Sequence, residues 1–197
     1  MPKIVDHEQY RKELLGKCFD LFAQKGYGSI TMREIAQNLG VSTGTLYHYF
    51  PSKESLFEHL VEEICEQDLS AALGELGGKK GISEAMTALG RYLEKNEDYF
   101  IKWTYIWVGF CQHQDSKEQS NNVYMRANQR YQQAACDFLG IRDRELATFV
   151  LSFIDGLLLG KLQGNKMINF PEQCALLGKM LTAYLQQQES EQLKIRN

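Results

Sequence analysis

Residues 31–50, TMREIAQNLGVSTGTLYHYF, restrict the fold of this chain more than any other stretch. Thr31 and Glu34 have the spacing of a capping box, in which a hydroxyl at a helix start and a carboxylate one turn on satisfy each other's backbone N–H groups. Ile35, Ala36 and Leu39 share one helical face, and Gly40 stands where a helix stops in the left-handed conformation. Ser42 is then a strong N-cap for a short second helix reaching Tyr49, which Phe50-Pro51 ends. Two helices joined by so short a glycine-containing turn predict a helix-turn-helix. The plainer alternative is an amphipathic hairpin whose polar residues simply face water.

The remaining sequence is written in the same helical period. It contains only three prolines, and no run alternates apolar with polar residues as a half-buried strand does, so the expected class is all-α. Leu14, Leu15, Cys18, Phe19 and Phe22 form the apolar stripe of a helix over 8–25 that Gly26 closes. Ser52 caps a further helix over 53–73. Beyond the glycine-rich GELGGKKG at 74–81, helices are predicted near 82–95, 97–112, 117–139, 142–163 and 171–188. The expected organisation is a module over 1–52 and a larger helical domain over 53–197, with 53–73 as the connecting helix.

Composition excludes more than it selects. The 44% hydrophobic content supports packed cores, and the net charge is −3. Within residues 1–60, seven Lys and Arg balance seven Asp and Glu. A chain that held nucleic acid through bulk charge would show a basic patch, so a DNA reading has to rest on a motif. No apolar run approaches the roughly 18 to 20 residues of a membrane span. The N-terminal MPKIVDHEQYRKELL lacks the apolar core of a signal peptide, so a cytoplasmic protein with no membrane partner is expected. The five cysteines are scattered, odd in number and never in a C-x-x-C pair, which reads as reduced core thiols. Neither a metal nor a cofactor is expected. His7, His48, His59 and His113 are dispersed, and no H-E-x-x-H, G-x-S-x-G or P-loop pattern occurs, so no catalytic residue is assigned.

The second helix of the motif is unusual for a core helix. A helix lying in a major groove needs outward side chains short enough to approach base edges or able to reach phosphates. Thr43 and Thr45 offer hydroxyls and methyls to bases, and Gly44 permits close approach. Tyr47, His48 and Tyr49 can donate to phosphate oxygens, whereas Leu46 and Phe50 read as inward anchors. The helix starts at Thr31 and at Ser52 would present backbone N–H groups to phosphates, with Lys53 adding a charge. Ser42 completes the candidate DNA-binding set.

At this point residues 8–60 resemble the N-terminal domain of the TetR family of transcriptional regulators. The family pattern A-x-x-L-F-x-x-x-G-Y stands here as CFDLFAQKGYGSITMREIA at 18–36, and the recognition segment as LGVSTGTLYHYFPSKESLF at 39–57. Cys18 replaces the usual Ala. The resemblance implies a three-helix DNA-binding domain in which Thr43, Gly44 and Thr45 approach bases while Tyr47, Tyr49 and Lys53 hold phosphates. It also implies that the helix start at Thr31 touches the DNA backbone. It covers about a quarter of the chain; the remainder resembles the family only in helix count and layout.

Two features of the C-terminal part suggest ligand binding and dimerisation. The helix EDYFIKWTYIWVGFCQ stacks Tyr99, Trp103, Ile106, Trp107 and Phe110 on one broad face, and such a face is either core or a pocket wall. Tyr124, Phe149 and Phe153 extend the apolar, aromatic set, and the resemblance implies an effector pocket in this region. The candidate ligand-binding residues are Trp103, Trp107, Phe110, Tyr124, Phe149, Phe153 and Asp155. Asp155 interrupts the apolar run ATFVLSFIDGLLLGKLQG and needs a partner, water or a ligand. Gly156 and Gly160 allow another helix to approach closely, and the last helix carries Leu177, Leu181 and Tyr184 at helical spacing. With Phe149 they form the candidate dimer interface, a four-helix arrangement that the family builds from its last two long helices.

The resulting expectation is a homodimeric, ligand-responsive regulator. It would be a repressor that leaves a palindromic operator in double-stranded DNA when a small hydrophobic or aromatic effector binds. Two alternatives remain open. One is a helical small-molecule-binding dimer without DNA affinity; the other is a helical enzyme with a site among Cys111, His113 and Asp155.

Overall fold

A computed structural model describes residues 6–78, 81–113 and 123–196. Among them there is no strand, and the helices are α1 His7–Lys25, α2 Met32–Leu39, α3 Thr43–Tyr49, α4 Lys53–Leu76, α5 Ile82–Lys95, α6 Glu97–Cys111, α7 Val123–Leu139, α8 Arg144–Leu162 and α9 Phe170–Arg196. The all-α expectation stands. Most predicted boundaries agree within two residues, because capping residues and glycines set them locally. The predicted start of the 117–139 helix falls outside the described residues.

The chain divides into two compact units, each assembled from separate stretches. The first comprises Met1–Asp68 with Lys102–Gln129. Its core is built on Leu14, Leu15, Cys18 and Phe22 of α1, Ile35 of α2, Leu46 of α3 and Leu56, Phe57 and Leu60 of α4, all nearly inaccessible to solvent. Phe57 is the hub: its ring stacks on Phe110 at 4.0 Å between centroids and meets Phe22 edge-on at 5.9 Å. Burying an aromatic ring so completely ties α4 to α1 and α6, and truncating one typically costs about 3–5 kcal/mol.

The second unit comprises Leu69–Ile101 with Arg130–Asn197. Met86 and Leu93 of α5, Val150 and Leu157 of α8, and Phe170, Cys174, Leu177 and Leu181 of α9 share one core. Two glycines set how closely α5 and α9 pack. A Cβ at Gly90 would lie 2.7 Å from the Phe170 carbonyl oxygen, and one at Gly178 would lie 2.9 Å from Cβ of Met86. α9 runs well past the predicted end at 188, because its polar tail QESEQLKIR consists of good helix formers without an apolar stripe.

Candidate nucleic-acid interface

α2 begins with the capping box read from the sequence. The Glu34 amide donates to the Thr31 hydroxyl oxygen at 3.3 Å, while the Thr31 amide and hydroxyl donate to the Glu34 carboxylate at 2.9 and 2.7 Å. The Thr31 hydroxyl thereby holds the Glu34 carboxyl below the usual carboxylate range. Gly40 takes the left-handed conformation, φ 71° and ψ 29°, and Val41 donates back to the Ala36 carbonyl at 3.0 Å. The chain turns sharply there, and Ser42 caps α3 by accepting from the Thr45 amide at 2.9 Å. Ser52 does the same for α4, accepting from the Ser55 amide at 3.0 Å.

Leu46 and Phe50 point inward and are fully buried, which fixes the orientation of α3. Thr43, Gly44, Tyr47 and His48 therefore face outward, as two adjacent stripes of the i, i+4 kind, and Tyr47 is 49% exposed. A Cβ at Gly44 would meet nothing nearer than the Ser42 hydroxyl oxygen at 3.7 Å. The fold itself thus gives no reason for glycine in the first turn of this helix. Thr45 is half-buried and its hydroxyl is 2.7 Å from that of Ser42, so its donor capacity is partly engaged within the chain. Tyr49 is also half-buried, and its hydroxyl lies 2.7 Å from Nδ1 of His7 at the start of α1.

Lys53 has a role that the sequence does not suggest. Its ammonium donates to the Tyr27 and Ile30 carbonyls at 3.0 and 3.1 Å and sits 4.4 Å over the Tyr27 ring. It pins the turn that delivers Thr31 to the start of α2, and two of its three protons are spent on that turn. Tyr27 in turn donates to the Glu54 carboxylate at 3.4 Å, and burial, with Glu54 beside it, pushes its phenol above the usual range. The signal that could have revealed this is weak: an aromatic residue and a pair of carbonyls more than twenty positions away.

The other candidate residues divide between the units. In the first, Trp103 and Trp107 are half-buried and stack on Phe57, each at 6.2 Å, and Phe110 is buried against the same ring. These indoles and Phe110 form part of an aromatic core. The side chain of Tyr124 lies outside the described residues. Nδ1 of His113 is 2.8 Å from the Gly109 carbonyl, and its ring occupies the space that a Cβ on Gly28 would need. In the second unit Phe153 packs against the core, while Phe149 and Asp155 are exposed on α8. Leu177 and Leu181 face the unit's own core, and Gly160 lies against Ile168. The outward positions of the last two helices are instead Phe149, Gly156 and Leu159 on α8, and Leu176, Met180 and Tyr184 on α9. Leu177, Leu181 and Gly160 are corrected accordingly: their neighbours belong to the same chain.

Cys18 and Cys174 are buried, and desolvation pushes their thiols up to about 12 and about 11. At neutral pH they are inert apolar side chains. Among the described residues no three His, Cys, Asp or Glu side chains are placed to hold a metal ion, and no helix is long and apolar enough to cross a membrane.

A capped helix, a left-handed glycine turn and a short helix with an unpartnered polar face define a helix-turn-helix DNA-binding module. Residues 14–60 match the family described as bacterial regulatory proteins, tetR family. Over 192 residues the chain is 27% identical to the HTH-type transcriptional regulator BetI of Brucella anthropi, covering 94% of this chain and 98% of that one. The fold is shared with a transcriptional regulator from Rhodococcus sp. Rha1, at TM-score 0.70 and 20% identity over 90% of this chain and 96% of that one. It is shared too with FadR from Bacillus subtilis in complex with stearoyl-CoA, at TM-score 0.64 and 16% identity over 86% and 96%. The chain thus carries the DNA-binding domain of the tetR family of bacterial regulatory proteins and is similar along its length to HTH-type transcriptional regulators.

Proposed function

We propose that the protein is a homodimeric repressor that reads a palindromic operator and is released from it by a small hydrophobic or aromatic effector. The observation that carries this reading is the outward face of α3, where Thr43, Gly44, Tyr47 and His48 stand exposed while Leu46 anchors the helix from behind. Thr43 and Gly44 are assigned to base edges and Tyr47, His48 and Tyr49 to phosphates, with the start of α2 at Thr31 against the DNA backbone. Ser42 and Thr45 hold the helix start in shape. Lys53 acts chiefly by ordering the turn before α2.

Dimerisation is supported by the outward apolar residues of α8 and α9, with Phe149 54%, Leu176 59% and Met180 58% exposed in the single chain. Such a surface is self-complementary under a two-fold axis, which would set two recognition helices on half-sites about one helical turn apart. For the effector, the half-buried indoles of Trp103 and Trp107 are the apolar surface at hand. The ligand must bind more tightly to a state whose recognition helices no longer match the half-site spacing, since only differential affinity shifts an equilibrium. Such a regulator works in the cytoplasm, where the DNA is.

The test is an unbiased selection of genomic fragments by the purified protein at about 100 mM salt, where phosphate contacts still count. Recovery of a palindrome that a Tyr47→Ala variant fails to enrich supports the reading. Failure to enrich any sequence, both alone and with cell extract added to supply a co-ligand, overturns it.

A further inference from the structure

The first residue of α1 meets the last residue of α3. Nδ1 of His7 lies 2.7 Å from the Tyr49 hydroxyl, the His7 and His48 rings are 6.4 Å apart, and Tyr10 packs on Tyr49 at 5.5 Å between centroids. Two imidazoles and two phenols thus share one exposed edge of the module, beside the face assigned to DNA. We propose that His7 is a positioning residue for phosphate recognition, taking up a proton when duplex DNA binds and turning the Tyr49 hydroxyl proton outward.

The chemistry follows from the single short contact. A neutral His7 can carry its proton on either ring nitrogen, and in the Nε2–H form it accepts from Tyr49, so the phenol proton points back into the protein. A protonated His7 has no such choice: it donates through Nδ1 to the Tyr49 oxygen, which keeps the phenol proton free for a phosphate. No covalent bond changes. The charged and titratable groups around His7 are the positive end of α1, Arg11 one turn along the helix and His48 from α3. The Asp6 carboxylate is committed to the Glu8 and Gln9 amides, and Glu8 lies exposed alongside. Phosphates add negative charge on the open side and favour the imidazolium, so binding and protonation are linked.

This rests on the DNA-binding reading above. Phosphate contacts do not depend on sequence, so the probe is a mixed-sequence duplex of about 30 bp at about 50 mM salt. Affinity is measured between about pH 8 and about pH 6, the range in which imidazoles change charge. The wild-type protein is expected to bind about three- to tenfold more tightly at the acid end, within the tenfold per pH unit that one proton allows. His7→Phe and Tyr49→Phe should each cut that gain to less than about half. A thermal melt confirms that each variant is folded. An unchanged pH profile in His7→Phe overturns the proposal. If the wild type fails to bind the duplex at any pH, the DNA-binding reading fails with it.

Discussion

The Lys53 ammonium lies 4.4 Å over the Tyr27 ring while donating to the carbonyl of that same residue at 3.0 Å. With the Ile30 carbonyl at 3.1 Å as its second acceptor, it closes the turn between α1 and α2 from below. Lys53→Ala would leave two part-buried carbonyls without their charged donor, at a cost of about 1–3 kcal/mol. For a chain of this size that lowers the melting temperature by roughly 2–10 °C. Lys25→Ala, at an exposed position, should leave it unchanged. If Lys53→Ala melts like the wild type and only flattens the salt dependence of DNA binding, the lysine is a phosphate ligand instead.

Gly44 offers a separation of stability from function. Nothing in the fold excludes a methyl there, and glycine in a helix is less favourable than alanine, by up to about 0.5–1 kcal/mol at a mid-helix position. Gly44→Ala should therefore raise the melting temperature and weaken operator binding together, because the methyl would occupy the space a base edge needs. Paired melts and binding titrations read both. A variant that gains stability and keeps full affinity would show that the helix does not approach the bases at this point.

Much of the fold was legible because its signals are local. The box at Thr31 and Glu34, the stop at Gly40 and the cap at Ser42 each act within a turn of helix, and α2 and α3 begin and end where those residues say. The inward setting of Leu46 and Phe50 followed from the same pattern. What escaped depends on partners remote in sequence. The run CALLGKMLTAYL is apolar on two faces, so periodicity alone could not say that Leu177 meets the chain's own core while Leu176 faces out. The tight passages at Gly90 and Gly178, and the carbonyls that hold Lys53, were hidden for the same reason.

Asp155 carries a cost that pH can expose. The residue is exposed on α8 in the single chain and has no partner among the described residues, but the protein packed around its carboxyl desolvates it enough to raise it above the usual range. A raised carboxylate pKa means that the folded state holds the proton more tightly than the unfolded chain does. The ionised form is then a destabilising charge at neutral pH, and the penalty fades as pH falls through the raised value. Asp155→Asn should thus melt higher than the wild type at about pH 7, with the gap narrowing as the pH falls. A gap that widens on acidification would mean that the carboxylate is stabilised by a partner.

Leu176 and Leu177 are sequence neighbours with opposite fates, and that contrast tests the dimer. Leu177 is buried, so Leu177→Ala should destabilise the fold by about 2–5 kcal/mol whatever the oligomeric state. Leu176 and Met180 lie one turn apart on the exposed face, where a charge costs the isolated chain little. In an isologous interface each substitution is repeated on the partner and meets its own copy or an apolar surface near the two-fold axis. Leu176→Glu with Met180→Glu should therefore give a folded monomer by analytical ultracentrifugation, with unchanged helical content. Its operator affinity should fall about a hundredfold or more, since one half-site no longer recruits the other at high effective concentration. Should the double variant sediment as the wild type does, the last two helices do not form the interface, and the apolar face they expose serves something else.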